Sequence, residues 1–224
     1  MSVILACDVG TSSLKLAAFD AAGRLLASAQ RGYPTATPHP GWTEQDPEDW
    51  LRAFAAAVAE LDAGGHVAGA SAIAFTGQMS AVVLVGEEGA AARPAMIWSD
   101  TRATAEAEAI EAGTGREAHI DLTGSPPGAT YPSAKMRWLA RHEPEALRRA
   151  RTVLQPKDFI IARLTGIAAI DPSDASCTGF MDIARGRWDE RLLALAGVDP
   201  GLLPEIPADL HVSVAQAGLL ITAF

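Results

Sequence analysis

Six residues near the start of the chain, Asp8-Val9-Gly10-Thr11-Ser12-Ser13, are the first whose types and order can do chemistry. A carboxylate ends an apolar run, and a turn of small residues follows. Phosphate binding needs several donors converging where no bulky side chain intrudes. Gly10 permits that approach, while Thr11, Ser12 and Ser13 offer hydroxyls and backbone N–H groups. Asp8 can hold a magnesium ion, chiefly through water, because magnesium dehydrates reluctantly. The same residue types also build ordinary hairpin turns, so this run alone leaves both readings open. A second cluster, Trp98-Ser99-Asp100-Thr101-Arg102, sets an aromatic face beside a carboxylate and a guanidinium. Sugars are bound by such sets, with ring faces stacking and charged groups holding hydroxyls. Ser99 or Asp100 can equally cap the helix that follows. The five histidines, at 39, 66, 119, 142 and 211, have no metal-ligand spacing.

Apolar periodicity shows which elements must hold these residues. Runs at 3–9, 14–19 and 25–30, separated by short turns, predict an antiparallel meander. A Pro- and Thr-rich loop covers 33–41. Asp46-Pro47-Glu48-Asp49 then announces a helix with an N-cap carboxylate, a first-position proline and acids in the first turn. Trp50, Phe54, Val58 and Leu61 continue it at helical spacing. A strand is expected at 70–75, a break at 76–80, and continuation of the strand at 81–85. Helices are expected at 101–112, as two segments of 132–150 split at Pro144, at 158–164 closed by Gly166, and near 192–196; a short strand falls at 152–154. A meander followed by alternating helices and strands predicts an α/β domain with a mixed sheet flanked by helices, spanning 1–206. Residues 207–224 are expected to form an irregular tail.

At 224 residues, 49% hydrophobic, the chain can hold one large domain or two small ones. Its net charge of −9 argues against nucleic acid and against an anionic membrane surface. No basic leader precedes the first apolar run and no long uncharged stretch follows, so the expected location is the cytoplasm. The two cysteines, Cys7 and Cys177, make neither a disulfide framework nor a metal motif, and Cys7 reads as a small buried hydrophobe.

Taken in order, the segments carry a resemblance. Asp8 to Ser13, with the strands around it, resembles the first phosphate-binding hairpin of the actin–hexokinase superfamily. Five further segments resemble the FGGY carbohydrate kinases. They are Gly41-Trp42-Thr43-Glu44-Gln45-Asp46-Pro47-Glu48-Asp49-Trp50, Thr76-Gly77-Gln78-Met79, Trp98-Ser99-Asp100-Thr101-Arg102, Ala134-Lys135-Met136-Arg137-Trp138-Leu139 and Leu154-Gln155-Pro156-Lys157-Asp158-Phe159. They stand in the family's order and at about its spacing. The resemblance implies an actin/hexokinase-like (ribonuclease H-like) fold and the sugar-recognising half of an ATP- and magnesium-dependent kinase acting on a ketose or polyol. It assigns Asp8, Gly10, Thr11, Ser12 and Ser13 to phosphate, with Asp8 serving the metal. It assigns Gln78, Met79, Ser80, Asp100, Arg102 and Thr130 to the sugar.

Gln78-Met79 is similar to the xylulokinases, which usually follow the pair with histidine. Ser80 keeps one hydroxyl and loses the imidazole's reach and titration, which leaves a related ketose or polyol open. Asp171 and Asp174 resemble a family stretch that capping also explains. The family's catalytic base is an aspartate in a Gly-x-x-Asp segment. In the family that segment follows the last helices of the first domain; no Gly-x-x-Asp follows the helix expected near 192–196, so no catalytic residue is assigned. The expectation is a fragment without its base or its C-terminal ATP-binding domain, inactive alone, with that domain as its partner. The alternative is a non-catalytic sugar-binding or interaction module. An α/β hydrolase is disfavoured, since there is no Gly-x-Ser-x-Gly elbow.

Overall fold

The computed structural model describes residues 2–207. Strands β1 (Val3–Val9), β2 (Ser13–Asp20) and β3 (Leu25–Gly32) form the expected antiparallel meander. Two residues, β4 (Glu44–Gln45), lead into α1 (Pro47–Ala63), where the Asp46 carboxylate accepts the Glu48 N–H and Pro47 takes the first position. Strand β5 (Ala70–Gly77) lies parallel to β1, giving the sheet order β3-β2-β1-β5. A parallel neighbour needs a crossover, and α1 provides it.

Beyond it come β6 (Val83–Val85), β7 (Ala95–Met96), α2 (Thr104–Thr114), α3 (Arg116–Thr123), α4 (Pro132–His142) and α5 (Pro144–Arg149). They are followed by β8 (Thr152–Leu154), α6 (Pro156–Thr165), α7 (Pro172–Ser176), β9 (Met181–Asp182), β10 (Arg187–Trp188) and α8 (Glu190–Ala196). The mixed sheet and the helix break at Pro144 agree with expectation. Residues 81–85 do not extend β5. Instead β6 pairs antiparallel with β8 in a separate ribbon. The backbone turns away between them, with Ser80 in the left-handed region at φ 60°. Helix α2 starts three residues later than expected, because the Asp100 carboxylate accepts the Arg102 N–H and holds 100–102 in a turn. Helices α3 and α7 had no apolar repeat to announce them.

Two cores result. On one face of the sheet, Leu5, Cys7, Val9, Leu14 and Leu16 pack against Trp50, Phe54 and Phe159 of α1 and α6. A second core joins α2, α4 and α8 through Ala107, Ile110, Met136, Leu139 and Leu192. The segments 82–85 and 95–97 serve both: Val83, Val85, Ala95 and Ile97 face the first core, while Val82, Leu84 and Met96 face the second. That is strand alternation with a core on each side. The apolar run of β1 is therefore covered on one face only by these helices, and Ile4 and Asp8 point to an exposed face. Cys7 and Cys177 are both free. No helix among the described residues is long and apolar enough to cross a membrane. The expected tail lies outside the described residues beyond Pro207.

Candidate active site

The turn between β1 and β2 is closed by the Gly10 N–H, which donates to the Ser13 carbonyl at 3.1 Å. A Cβ at Gly10 would stand 3.0 Å from that carbonyl oxygen, so the turn needs its glycine. Among the described residues no protein acceptor takes the N–H of Thr11 or Ser12. Two free amides at a small-residue turn fit an anion. Asp8 is exposed at the strand end, with Lys15 directly opposite on β2 and Thr76 opposite on β5. Directly opposed residues share a face with Cβ atoms roughly 5 Å apart, so an ammonium accompanies the carboxylate. Sequence reasoning passed over Lys15, which gains significance only through this register.

The turn is tied to the residues expected to face sugar. Gln45 is the hub: its Nε2 donates to the Thr11 carbonyl at 2.6 Å and to Thr35 Oγ1 at 2.7 Å. Its Oε1 accepts from Trp50 Nε1 at 3.1 Å and from Gln78 Nε2 at 2.9 Å. Gln78 Nε2 also reaches the Gly10 carbonyl at 3.4 Å, and the Tyr33 hydroxyl donates to the same oxygen. Carbonyl acceptors at both amides fix which end of each is nitrogen. That leaves Gln78 Oε1 buried and without a partner, an acceptor still to be satisfied. Trp98 Nε1 donates to Thr11 Oγ1 at 3.0 Å, and the residue is 47% exposed. Met79 is 45% exposed, whereas Ser80 is buried. Thr130 is half-buried just ahead of α4, and this network does not reach it. Gln45 stands within the segment 41–50, but nothing in its spacing marks it as the hub.

Asp100 and Arg102, expected at the sugar, lie inside the protein. Their side chains are 0% and 1% exposed. The Asp100 carboxylate accepts from the Thr43 N–H at 2.7 Å and from Arg102 Nε and Nη2 at 3.0 and 2.6 Å. Arg102 Nη2 also meets Glu44 at 2.7 Å, and the guanidinium lies 3.6 Å from the centre of the Trp42 ring. The Asp100 carboxylate and the Arg102 Nε and Nη2 groups are thus engaged within the protein, while Arg102 Nη1 has no partner. The pair locks the segment carrying Trp98 onto the segment carrying Gln45.

A third cluster gathers Asp158, Asp171 and Asp174, whose carboxylate oxygens lie within 4.8 Å of one another. Lys157 Nζ already sits among them, at 2.6, 2.6 and 2.8 Å respectively. Asp171 also caps α7, accepting from the Ser173 and Asp174 N–H groups, as the sequence suggested. Burial pushes the Asp158 carboxyl up to about 7, against the pull of Lys157. The Cys7 thiol is raised too, mainly by burial, so it stays protonated and inert.

The turn at 10–13 is thus hydrogen-bonded through Gln45 to the loop carrying Gln78, and directly to the indole of Trp98. The chain belongs to the FGGY family of carbohydrate kinases: residues 3–215 match that family's N-terminal domain. It is 33% identical over 208 residues to the xylulose kinase of Staphylococcus xylosus, covering 93% of this chain and 43% of that protein. It is 36% identical over 206 residues to the xylulose kinase of Streptomyces rubiginosus, covering 91% and 42%. The crystal structure of xylulose kinase from Rhodospirillum rubrum superposes with a TM-score of 0.91 at 32% identity, covering 98% of this chain and 46% of that one. The fold is thus actin/hexokinase-like, as the resemblance implied, and the chain spans less than half the length of these relatives.

Proposed function

We propose that this chain is the sugar-recognising part of an ATP-dependent kinase that phosphorylates a hydroxyl of a xylulose-like ketose or polyol. The observation behind this reading is the continuous hydrogen-bonded path from Gly10 and Thr11 through Gln45 to Gln78, and from Thr11 to Trp98. Trp98 and Met79 would cover the apolar edge of the sugar, and Gln78 Oε1 would accept one of its hydroxyls. Thr130 and the Ser80 hydroxyl are further candidates for the sugar. The free N–H groups of Thr11 and Ser12, with the Ser12 and Ser13 hydroxyls, would receive phosphate oxygens, and Lys15 would offset their charge. Asp8, exposed and beside this turn, suits a water-mediated magnesium contact. Magnesium-bound ATP would supply the transferable phosphoryl group. This chain's residues would orient the acceptor and steady the phosphate, which is most of what catalysis of this kind requires. The proposed partner is the remaining portion that the relatives possess, and free buried thiol chemistry suits a cytoplasmic setting.

Two outcomes are expected of the 224-residue polypeptide. It binds D-xylulose by calorimetry, and it releases no ADP from magnesium-ATP with D-xylulose, D-ribulose or glycerol in a coupled assay. Turnover at about 1–100 per second, ordinary for kinases, would overturn the view that no catalytic base lies within these residues. Binding of D-xylulose with no turnover even after the relatives' remaining portion is added in trans would favour the non-catalytic sugar-binding module. A Trp98→Ala chain should bind D-xylulose at least tenfold more weakly, since both the stacking face and the Thr11 contact are lost. Unchanged affinity would remove Trp98 from the sugar site.

A further inference from the structure

Lys135 lies in the first turns of α4, and its side chain is fully buried. Its Nζ donates to the carbonyl oxygens of Ser80 and Ile97, each at 2.7 Å. Neither acceptor belongs to α4. One ends the Gln78-Met79-Ser80 loop, and the other immediately precedes Trp98. Packing does not explain the choice, because methionine would fill similar space without the desolvation an ammonium incurs. Ion pairing does not explain it either, because Arg102 and the Thr43 N–H occupy the Asp100 carboxylate. Ser80 points the same way. A non-glycine residue at φ 60° persists only where its surroundings impose that conformation, and its carbonyl is the one turned onto the ammonium.

We propose that Lys135 is a positioning residue: by bridging these two carbonyls it fixes the separation between the Gln78-Met79 loop and Trp98, and so sets the width of the sugar-binding edge. It touches neither sugar nor phosphate. The consequence for sugar rests on the functional reading above; the bridging of the loops does not. Burial lowers the Lys135 ammonium to about 7, with Asp100 opposing that shift and Arg102 adding to it. The clamp tolerates this titration, because a neutral amine still has two N–H donors for two carbonyls.

The test pairs hydrogen exchange with binding, on the whole chain and on Lys135→Met. Amides at 78–82 and 97–102 should exchange at least tenfold faster in the variant, while β1 and α1 keep their protection. Affinity for D-xylulose should fall at least tenfold. Unchanged exchange in both loops, or an equal rise everywhere, overturns the proposal, the latter because it marks a purely structural lysine. If the unaltered chain binds no D-xylulose, the functional reading fails, and the exchange pattern still decides the role of Lys135. Should Lys135→Met not fold, ¹⁵N NMR of the unaltered chain decides. Slowly exchanging Lys135 Nζ protons are expected, and exchange as fast as that of the exposed Lys15 would overturn the bridge.

Discussion

Replacing Asp100 by alanine should destabilise the chain by about 3–5 kcal/mol, the cost of leaving a buried charge without its partner. Its carboxylate is fully buried and serves four donors on two segments, the Thr43 N–H, the Arg102 N–H and the Arg102 Nε and Nη2 groups. Removing it orphans the Thr43 amide and leaves the Arg102 guanidinium with Glu44 alone, while one Arg102 nitrogen, Nη1, already lacks a partner. Asp100→Asn keeps the shape and some of the hydrogen bonds, and should lose less. The measurement is urea unfolding of both variants against the unaltered chain. A loss below about 1 kcal/mol, as for an exposed pair, together with abolished D-xylulose binding, would return Asp100 to direct sugar contact.

Lys157→Met should also cost about 3–5 kcal/mol at pH 8, and much less at pH 5. The ammonium sits among Asp158, Asp171 and Asp174, at 2.6, 2.6 and 2.8 Å. The pH dependence follows from Asp158, whose carboxyl burial lifts from 3.8 to about 7 in the folded chain. A raised carboxyl pKa means that the folded form binds more protons than the unfolded form between those values. Its contribution to stability is therefore complete below about pH 4 and is lost as pH rises through 7. Lys157 opposes the rise, so deleting it moves the Asp158 carboxyl higher still and steepens the loss toward alkaline pH. At pH 5 a protonated Asp158 lowers the cluster's charge and the deficit shrinks. Urea unfolding at the two pH values tests this. Equal losses at both would mean that Lys157 acts through its packed stem rather than through charge.

These two variants also separate scaffold from site. Both remove charges that are paired within the protein, whereas Trp98→Ala removes an exposed side chain. The expected division is that the first pair changes unfolding and the last changes sugar affinity. Because the Asp100–Arg102 pair holds the Trp98 segment, Asp100→Asn should weaken sugar binding only to the extent that the segment loosens.

The sequence by itself determined the local elements that short-range chemistry governs. The meander follows from apolar runs separated by turn residues, α1 from the Asp46 cap and Pro47, and the division of α4 from α5 from Pro144. The order of six short segments was enough to identify the family. What the sequence could not determine was which polar side chains stay available to a ligand. Asp100 and Arg102 look like sugar-binding groups in one dimension, but Thr43 and Glu44, more than 50 residues away in the chain, close over them. Gln45 and Lys135 looked incidental, yet each joins segments that meet only in the folded chain. Residue type records what a group can donate or accept. Only tertiary packing decides whether those capacities are spent within the protein or left for substrate, because that depends on which distant backbone groups are brought within about 3 Å.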